Sequence, residues 1–222
     1  GGESTRPGAT PVSHSEEVRR VVPVVEAVRN ALPDVCISID TRRASVALEA
    51  LKAGADMVND VSALSDPRMV DVVSQSGCPV CIMHMQGLPE DMQDNPQYGD
   101  VVAEVRGVLN GAAQRLFDAG VAPERVIADP GIGFGKGLEH NLTLLAAGRG
   151  VVPHPQMPLM WGVSRKTMFH HLLDREDTRE RLAGTLGVAA KSVALDVDVI
   201  RVHDVAEHAD MFAAMSALEV SE

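Results

Sequence analysis

Residues 44–60, ASVALEALKAGADMVND, set the plan of the chain. Apolar residues at helical spacing run from Ala44 to Leu51, Gly54 follows as a left-handed cap, and a short apolar strand then ends in the polar pair Asn59-Asp60. The same order returns twice. Residues 67–77, PRMVDVVSQSG, lead into CPVCIMHM at 78–85, and the helical stretch 101–120, closed by Gly120, leads into APERVIADPG at 122–131. Gly77 fits a cap like those at 54 and 120. An earlier helix over 15–32 puts Val18, Val21, Val22, Val25 and Leu32 on one face. Ser13 and Glu16 are spaced for a capping box, and Pro23 predicts a bend or restart. Six strands are expected, at 35–40, 56–60, 79–85, 125–129, 158–163 and 198–203. Their continuous apolar runs suit a parallel sheet covered by helices.

Alternating strands and helices build either an open doubly wound sheet or a closed barrel, and the placement of the polar residues decides between them. Asp40, Asn59, Met83, Asp129, Ser164, Lys166, Arg201 and His203 all fall at or just past strand C-termini. A site gathered from so many strand ends is that of a (β/α)8 TIM barrel. The whole chain, 1–222, then reads as a single barrel domain. Eight strands close such a barrel, and the chain opens on the loop-like GGESTRPGAT. The first β/α unit and most of the second strand, on the order of 50 residues, are therefore expected to be absent from the N-terminus.

Composition narrows the ligand. The chain has 222 residues, 45% of them hydrophobic, and a formal charge of −11 with no basic run. That balance disfavours nucleic acid and membrane surfaces and favours a small molecule. No segment reaches the ~20 apolar residues of a membrane span, and none resembles a secretory signal, so a cytoplasmic protein is expected. Cys78 and Cys81 have redox spacing but open a strand rather than a helix, which makes them structural. The histidines lack metal-ligand spacing.

DPGIGFGKG, 129–137, imitates a nucleotide loop and fails both patterns. Pro130 and Gly137 stand where a phosphate loop needs glycine and a hydroxyl residue, and the third glycine of a dinucleotide turn is replaced by Lys136. Its glycines are expected to bring backbone close to a ligand, with Phe134 as an apolar wall. Ionised Asp129 can accept two parallel N–H bonds from a heterocycle, and Asn59 offers both a donor and an acceptor. GVSRKTMFHHLL, 162–173, places Ser164 as a helix N-cap whose free N–H groups, with Arg165 or Lys166, could take an anion. Arg201 and His203 alternate along one strand and face the same way, forming a second anion site. Thr5, Arg6 and Pro7 sit on a loop tip suited to a substrate lid.

Taken in order, GGESTRPGA at 1–9, SID at 38–40, ND at 59–60, MHMQG at 83–87, DPGIGFGK at 129–136, SRK at 164–166 and RVHD at 201–204 resemble the dihydropteroate synthase family. The resemblance spans the chain. It implies a cytoplasmic, dimeric barrel transferase of folate biosynthesis, using Mg²⁺ and blocked by sulfonamides. Such an enzyme joins 6-hydroxymethyl-7,8-dihydropterin pyrophosphate to 4-aminobenzoate and releases pyrophosphate. The implied pterin pocket is Asp40, Asn59, Met83, Asp129, Phe134, Lys166 and Arg201. Arg201 and His203 would hold pyrophosphate, while Thr5, Arg6, Pro7, Phe134, Ser164 and Lys166 would surround aminobenzoate. Lys166, Arg201, His203 and Arg6 would carry the catalytic load. The asparagine associated with Mg²⁺ belongs to the family's first strand, so no metal ligand is assigned here, and the resemblance assigns no role to Lys136. Two other readings compete: a pterin-binding methyltransferase, disfavoured by the anion-binding residues, and a non-catalytic pterin-binding homologue.

Overall fold

The structure is a computed structural model that describes residues 1–6, 8–87 and 91–219. All six expected strands form, each shorter than its apolar run: β1 Ser38–Asp40, β2 Met57–Asp60, β3 Val80–Met83, β4 Val126–Asp129, β5 Met160–Trp161 and β6 Val199–Ile200. Every pairing is parallel. β1 to β4 lie side by side in chain order, an isolated bridge from Ala128 to Leu159 joins β4 to β5, and β5 pairs with β6. Strand order equal to chain order is the arrangement of a barrel wall, whereas a doubly wound sheet reverses at a switch point. Between β1 and β6 no strand pairing occurs among the described residues.

Helices fill the connections as the periodicity requires: α1 His14–Ala31, α2 Ala44–Lys52, α3 Met69–Ser76, α4 Val101–Asp118, α5 Leu138–Ala147, α6 Met168–Leu173, α7 Leu182–Lys191 and α8 Val205–Glu219. The α1 N-terminus is capped by Ser13 Oγ, which accepts from the Glu16 N–H. Glu16 itself does not return the bond. Its carboxylate turns to Arg19 and Arg20 one turn on, so only half of the expected capping box exists. Pro23 lies inside α1 without dividing it, and Leu32 falls beyond the helix and is exposed. The glycine caps are borne out, with Gly54, Gly77 and Gly120 at φ of 111°, 67° and 85°.

The core is aliphatic and lies between strands and helices. Val58, Val80, Ile82, Val126, Leu159 and Val163 meet Val46, Ala47, Val73, Leu109 and Leu116 from the helices, all essentially without exposure. Cys78 is a buried thiol in this layer, and Cys81, buried on the other face of β3, shares a row with Asp40 and Asn59. Burial, reinforced by Asp129, Asp40 and Asp60 nearby, holds the Cys81 thiol well above its ordinary range, so it stays protonated and unreactive.

Candidate active site

Parallel register brings the polar strand ends together. Asp40 stands opposite Asn59, and Met83 opposite Asp129, so the four side chains face the same side in adjacent rows. Asn59 Nδ2 donates to Asp40 Oδ1 at 2.8 Å, and Arg201 donates to Asp40 Oδ2 at 2.6 Å. Asp40 thus links β2 to the end of β6 across the unpaired side of the wall. Its two oxygens are occupied, which makes it an orienting group for Asn59 and Arg201. Asn59 is left with a buried Oδ1 that has no hydrogen-bond partner among the described residues. A buried acceptor of this kind costs stability until a donor arrives.

Asp129 is buried at the mouth of the wall and accepts one hydrogen bond, from the Gly131 N–H at 2.7 Å. Desolvation pushes its carboxyl above the ordinary range. The Gly131 N–H, then Lys166, Lys136 and Arg201, pull it back toward the charged form. Lys166 Nζ lies 3.9 Å over the centre of the Phe134 ring. Burial lowers its pKa to about 8 against the opposing pull of Asp129. Met83 adds an apolar surface in the Asp129 row.

The glycines of 129–137 play a part different from the expected one. At Gly131, φ is 69° and a Cβ would overlap the His84 carbonyl oxygen; at Gly135, φ is 59° and it would meet the Gln86 carbonyl. At these two positions the close approach is between two protein loops, one following β3 and one following β4, while a Cβ at Gly133 would meet the Lys166 side chain. Gly131→Ala combines that overlap with left-handed strain and is expected to cost about 3–5 kcal/mol, read as a fall in urea midpoint.

The reading of Ser164 as a helix N-cap is corrected. The helix begins at Met168, and residues 164–167 form a turn with Arg165 at a φ of 57°, which breaks helical geometry three residues before Met168. Ser164 Oγ instead accepts from the His203 N–H at 3.1 Å and meets His203 Nδ1 at 2.9 Å. When the hydroxyl donates to Nδ1, the ring carries its proton on Nε2. Burial, then Arg165 and Arg201, lowers the His203 pKa, so the ring is a neutral donor at pH 7. Arg165 is tied to Asp204 and adds no free charge to this anion site.

Of the lid residues, Thr5 lines an opening shared with Asp40, Val61 and Met85, while Arg6 is exposed at the tip. Pro7 lies outside the described residues. The lid root is held by groups that the sequence reading passed over. Glu3 accepts from Arg42 at 3.0 Å and from Arg43 at 2.7 Å, and Arg43 also donates to buried Glu17 at 2.5 Å. Thr41 closes the set by donating to Glu17 Oε1 at 2.7 Å. The Arg-Arg pair directly after the Asp40 strand end was the available signal.

No three His, Cys, Asp or Glu side chains among the described residues are placed to hold a metal ion. The Mg²⁺ implied by the resemblance is assigned no ligand among these residues. No helix among those residues is long and apolar enough to cross a membrane.

Comparison with known proteins agrees with this geometry. Residues 1–203 match the family model of the pterin binding enzymes. The dihydropteroate synthase of Escherichia coli K12 is 44% identical over 98% of this chain and 76% of its own length. Two crystal structures superpose closely. The Yersinia pestis dihydropteroate synthase with a sulfonamide drug gives a TM-score of 0.92 at 40% identity, over 99% of this chain and 79% of that one. The Burkholderia cenocepacia enzyme complexed with 7,8-dihydropteroate gives 0.90 at 42%, over 99% and 80%. With the strand-end residues convergent and these relatives matched along nearly the whole chain, the protein belongs to the pterin-binding enzymes and, within them, to the dihydropteroate synthase family.

Proposed function

We propose that the chain performs its family's reaction, the condensation of 6-hydroxymethyl-7,8-dihydropterin pyrophosphate with 4-aminobenzoate, through the residues described above. The observation that carries this reading is the pair of unsatisfied polar groups at the barrel mouth. Asn59 Oδ1 lacks a donor among the described residues, and Asp129 is a buried carboxyl that accepts a single hydrogen bond. A flat heterocycle with adjacent ring N–H and amino donors satisfies both at once. Lys166, over Phe134, lies along the same edge and would donate to a ring or carbonyl acceptor.

The leaving pyrophosphate would be received across the rim by Arg201 and His203. Arg201 supplies charge, and His203, neutral and oriented by Ser164, supplies an Nε2–H bond to the oxygen on which charge develops. As the C–O bond breaks, positive charge grows on the pterin methylene, and the aryl amine attacks it and loses a proton to solvent. Thr5, Arg6 and Pro7 would close over aminobenzoate beside Phe134 and Lys166, with Ser164 at its carboxylate end. A homodimer and a cytoplasmic setting belong to the same proposal; the three free cysteines suit a reducing compartment.

Pyrophosphate release on mixing the protein with both substrates tests the reading. Release that requires aminobenzoate supports it. Tight pterin binding without release would leave the non-catalytic alternative, and transfer of a methyl group from a methylated pterin would establish the methyltransferase.

A further inference from the structure

We propose that Lys136 is a positioning residue for the pterin site, its ammonium tying the loops after β3 and β4 together and lending its charge to Asp129. The inference rests on the pterin reading above and deepens it. Lys136 Nζ is 3% exposed as part of a buried residue and sits among four acceptors: His84 Nδ1 at 2.9 Å, the Phe134 carbonyl at 2.9 Å, the Gly131 carbonyl at 3.0 Å and the His84 carbonyl at 3.3 Å. Three of these atoms are backbone carbonyls, and two of them belong to residues that hold site groups. Gly131 is the residue whose N–H holds Asp129, and Phe134 is the residue whose ring underlies Lys166. Asn141, at the start of α5, completes the tie by donating to the Lys136 and Gly137 carbonyls and accepting from the Gly133 N–H.

The lysine could have been a ligand-binding cation, but its three protons are all consumed within the protein. Its neighbours also decide its charge. Burial lowers its pKa to about 7, Asp129 opposes that shift, and Lys166 adds to it. His84 is pushed down to about 3 by burial and by Lys136, so its ring is neutral and Nδ1 accepts. The charged groups acting on Asp129 are Lys166, Lys136 and Arg201. Of these, Lys166 and Arg201 are expected to engage substrate, while Lys136 stays behind the site, where a fixed charge costs no reorganisation when the pterin binds.

The test is Lys136→Met, which keeps the stem and removes the charge. Binding of 6-hydroxymethyl-7,8-dihydropterin is followed by calorimetry across pH. On the acid limb of the binding profile, below pH 7 where Lys136 carries its proton, affinity is expected to fall about tenfold, the effect of one unit in the Asp129 titration, and the acid limit of binding moves to higher pH. A folded Lys136→Met protein with wild-type affinity and an unmoved acid limit overturns the proposal. Failure of the wild type to bind would instead reject the pterin reading. Should the variant not fold, carboxylate ¹³C NMR of the wild type decides: the Asp129 resonance is expected to respond as Lys136 loses its proton, and an unresponsive resonance overturns the assignment.

Discussion

Asp129→Asn is expected to abolish pterin binding while leaving the empty protein as stable as the wild type or more so. The two effects have one cause. Asp129 is buried with one hydrogen bond, and desolvation raises its carboxyl above the ordinary range, so its charge is a cost to the folded state until a ligand arrives. Asparagine can keep the bond from the Gly131 N–H and removes the charge, but presents an NH₂ or a single oxygen where the ligand offers two donors. Losing two charge-assisted bonds corresponds to about 3–6 kcal/mol, a fall in affinity of some hundred- to ten-thousandfold. The sign of the stability effect follows from the raised pKa. At pH values above the folded pKa the wild type bears the penalty of ionised Asp129 and the variant does not; below the unfolded pKa the carboxyl is protonated in both states and the difference disappears. Thermal melts should therefore show the variant's advantage near neutrality and its loss in acid, beside calorimetry that detects no pterin binding. Unchanged affinity would remove Asp129 from the site.

What the sequence disclosed and what it hid divide along the range of the interactions. Six strands, the glycine caps and the row of strand-end residues were legible because each depends on local periodicity or a single backbone angle. Asn59 and Asp129 were identifiable for the same reason: strand ends in a parallel wall converge whatever the loops do. Ser164 was misread because Ser-Arg-Lys-Thr before an apolar run looks like a cap, whereas Arg165 adopts a left-handed angle and delays the helix to Met168. For Gly131 and Gly135 the sequence did not show that each also packs against backbone of the loop after β3, at the His84 and Gln86 carbonyls. Lys136 could not be assigned from sequence because its acceptors are mainly carbonyl oxygens, which carry no residue identity. Glu3 and Glu17 escaped for a related reason: an acidic residue in a loop or a helix's first turn usually faces water, and only tertiary contact shows that these two share one arginine.

That shared arginine sets the second large effect. Arg43→Met is expected to destabilise the protein by about 3–5 kcal/mol and to weaken aminobenzoate binding more than pterin binding. In the wild type one guanidinium bridges Glu3 and Glu17, whose side chains are 10% and 2% exposed. Replacing it leaves Glu17 with only the Thr41 hydroxyl, and an unpaired buried carboxylate is far costlier than the bridge was favourable. Glu3 keeps Arg42 and the Val12 N–H, so the loop carrying Thr5 and Arg6 is loosened at its root without being cut free. The cluster meets β2 only through backbone, the Thr41 N–H donating to the Asn59 carbonyl at 3.1 Å, and the Asn59 and Asp129 side chains hydrogen-bond elsewhere, which is why the two ligands should separate. A second substitution distinguishes this cause from a general packing loss. Glu17→Gln placed in the Arg43→Met background removes the stranded charge, and should recover part of the stability even though it deletes a further charged group. Urea unfolding of the wild type, both single variants and the double variant measures the coupling. Additive losses would mean that the bridge does not anchor the lid through paired charge, and equal weakening of both ligands would mean that the lid root and the pterin pocket are one rigid unit.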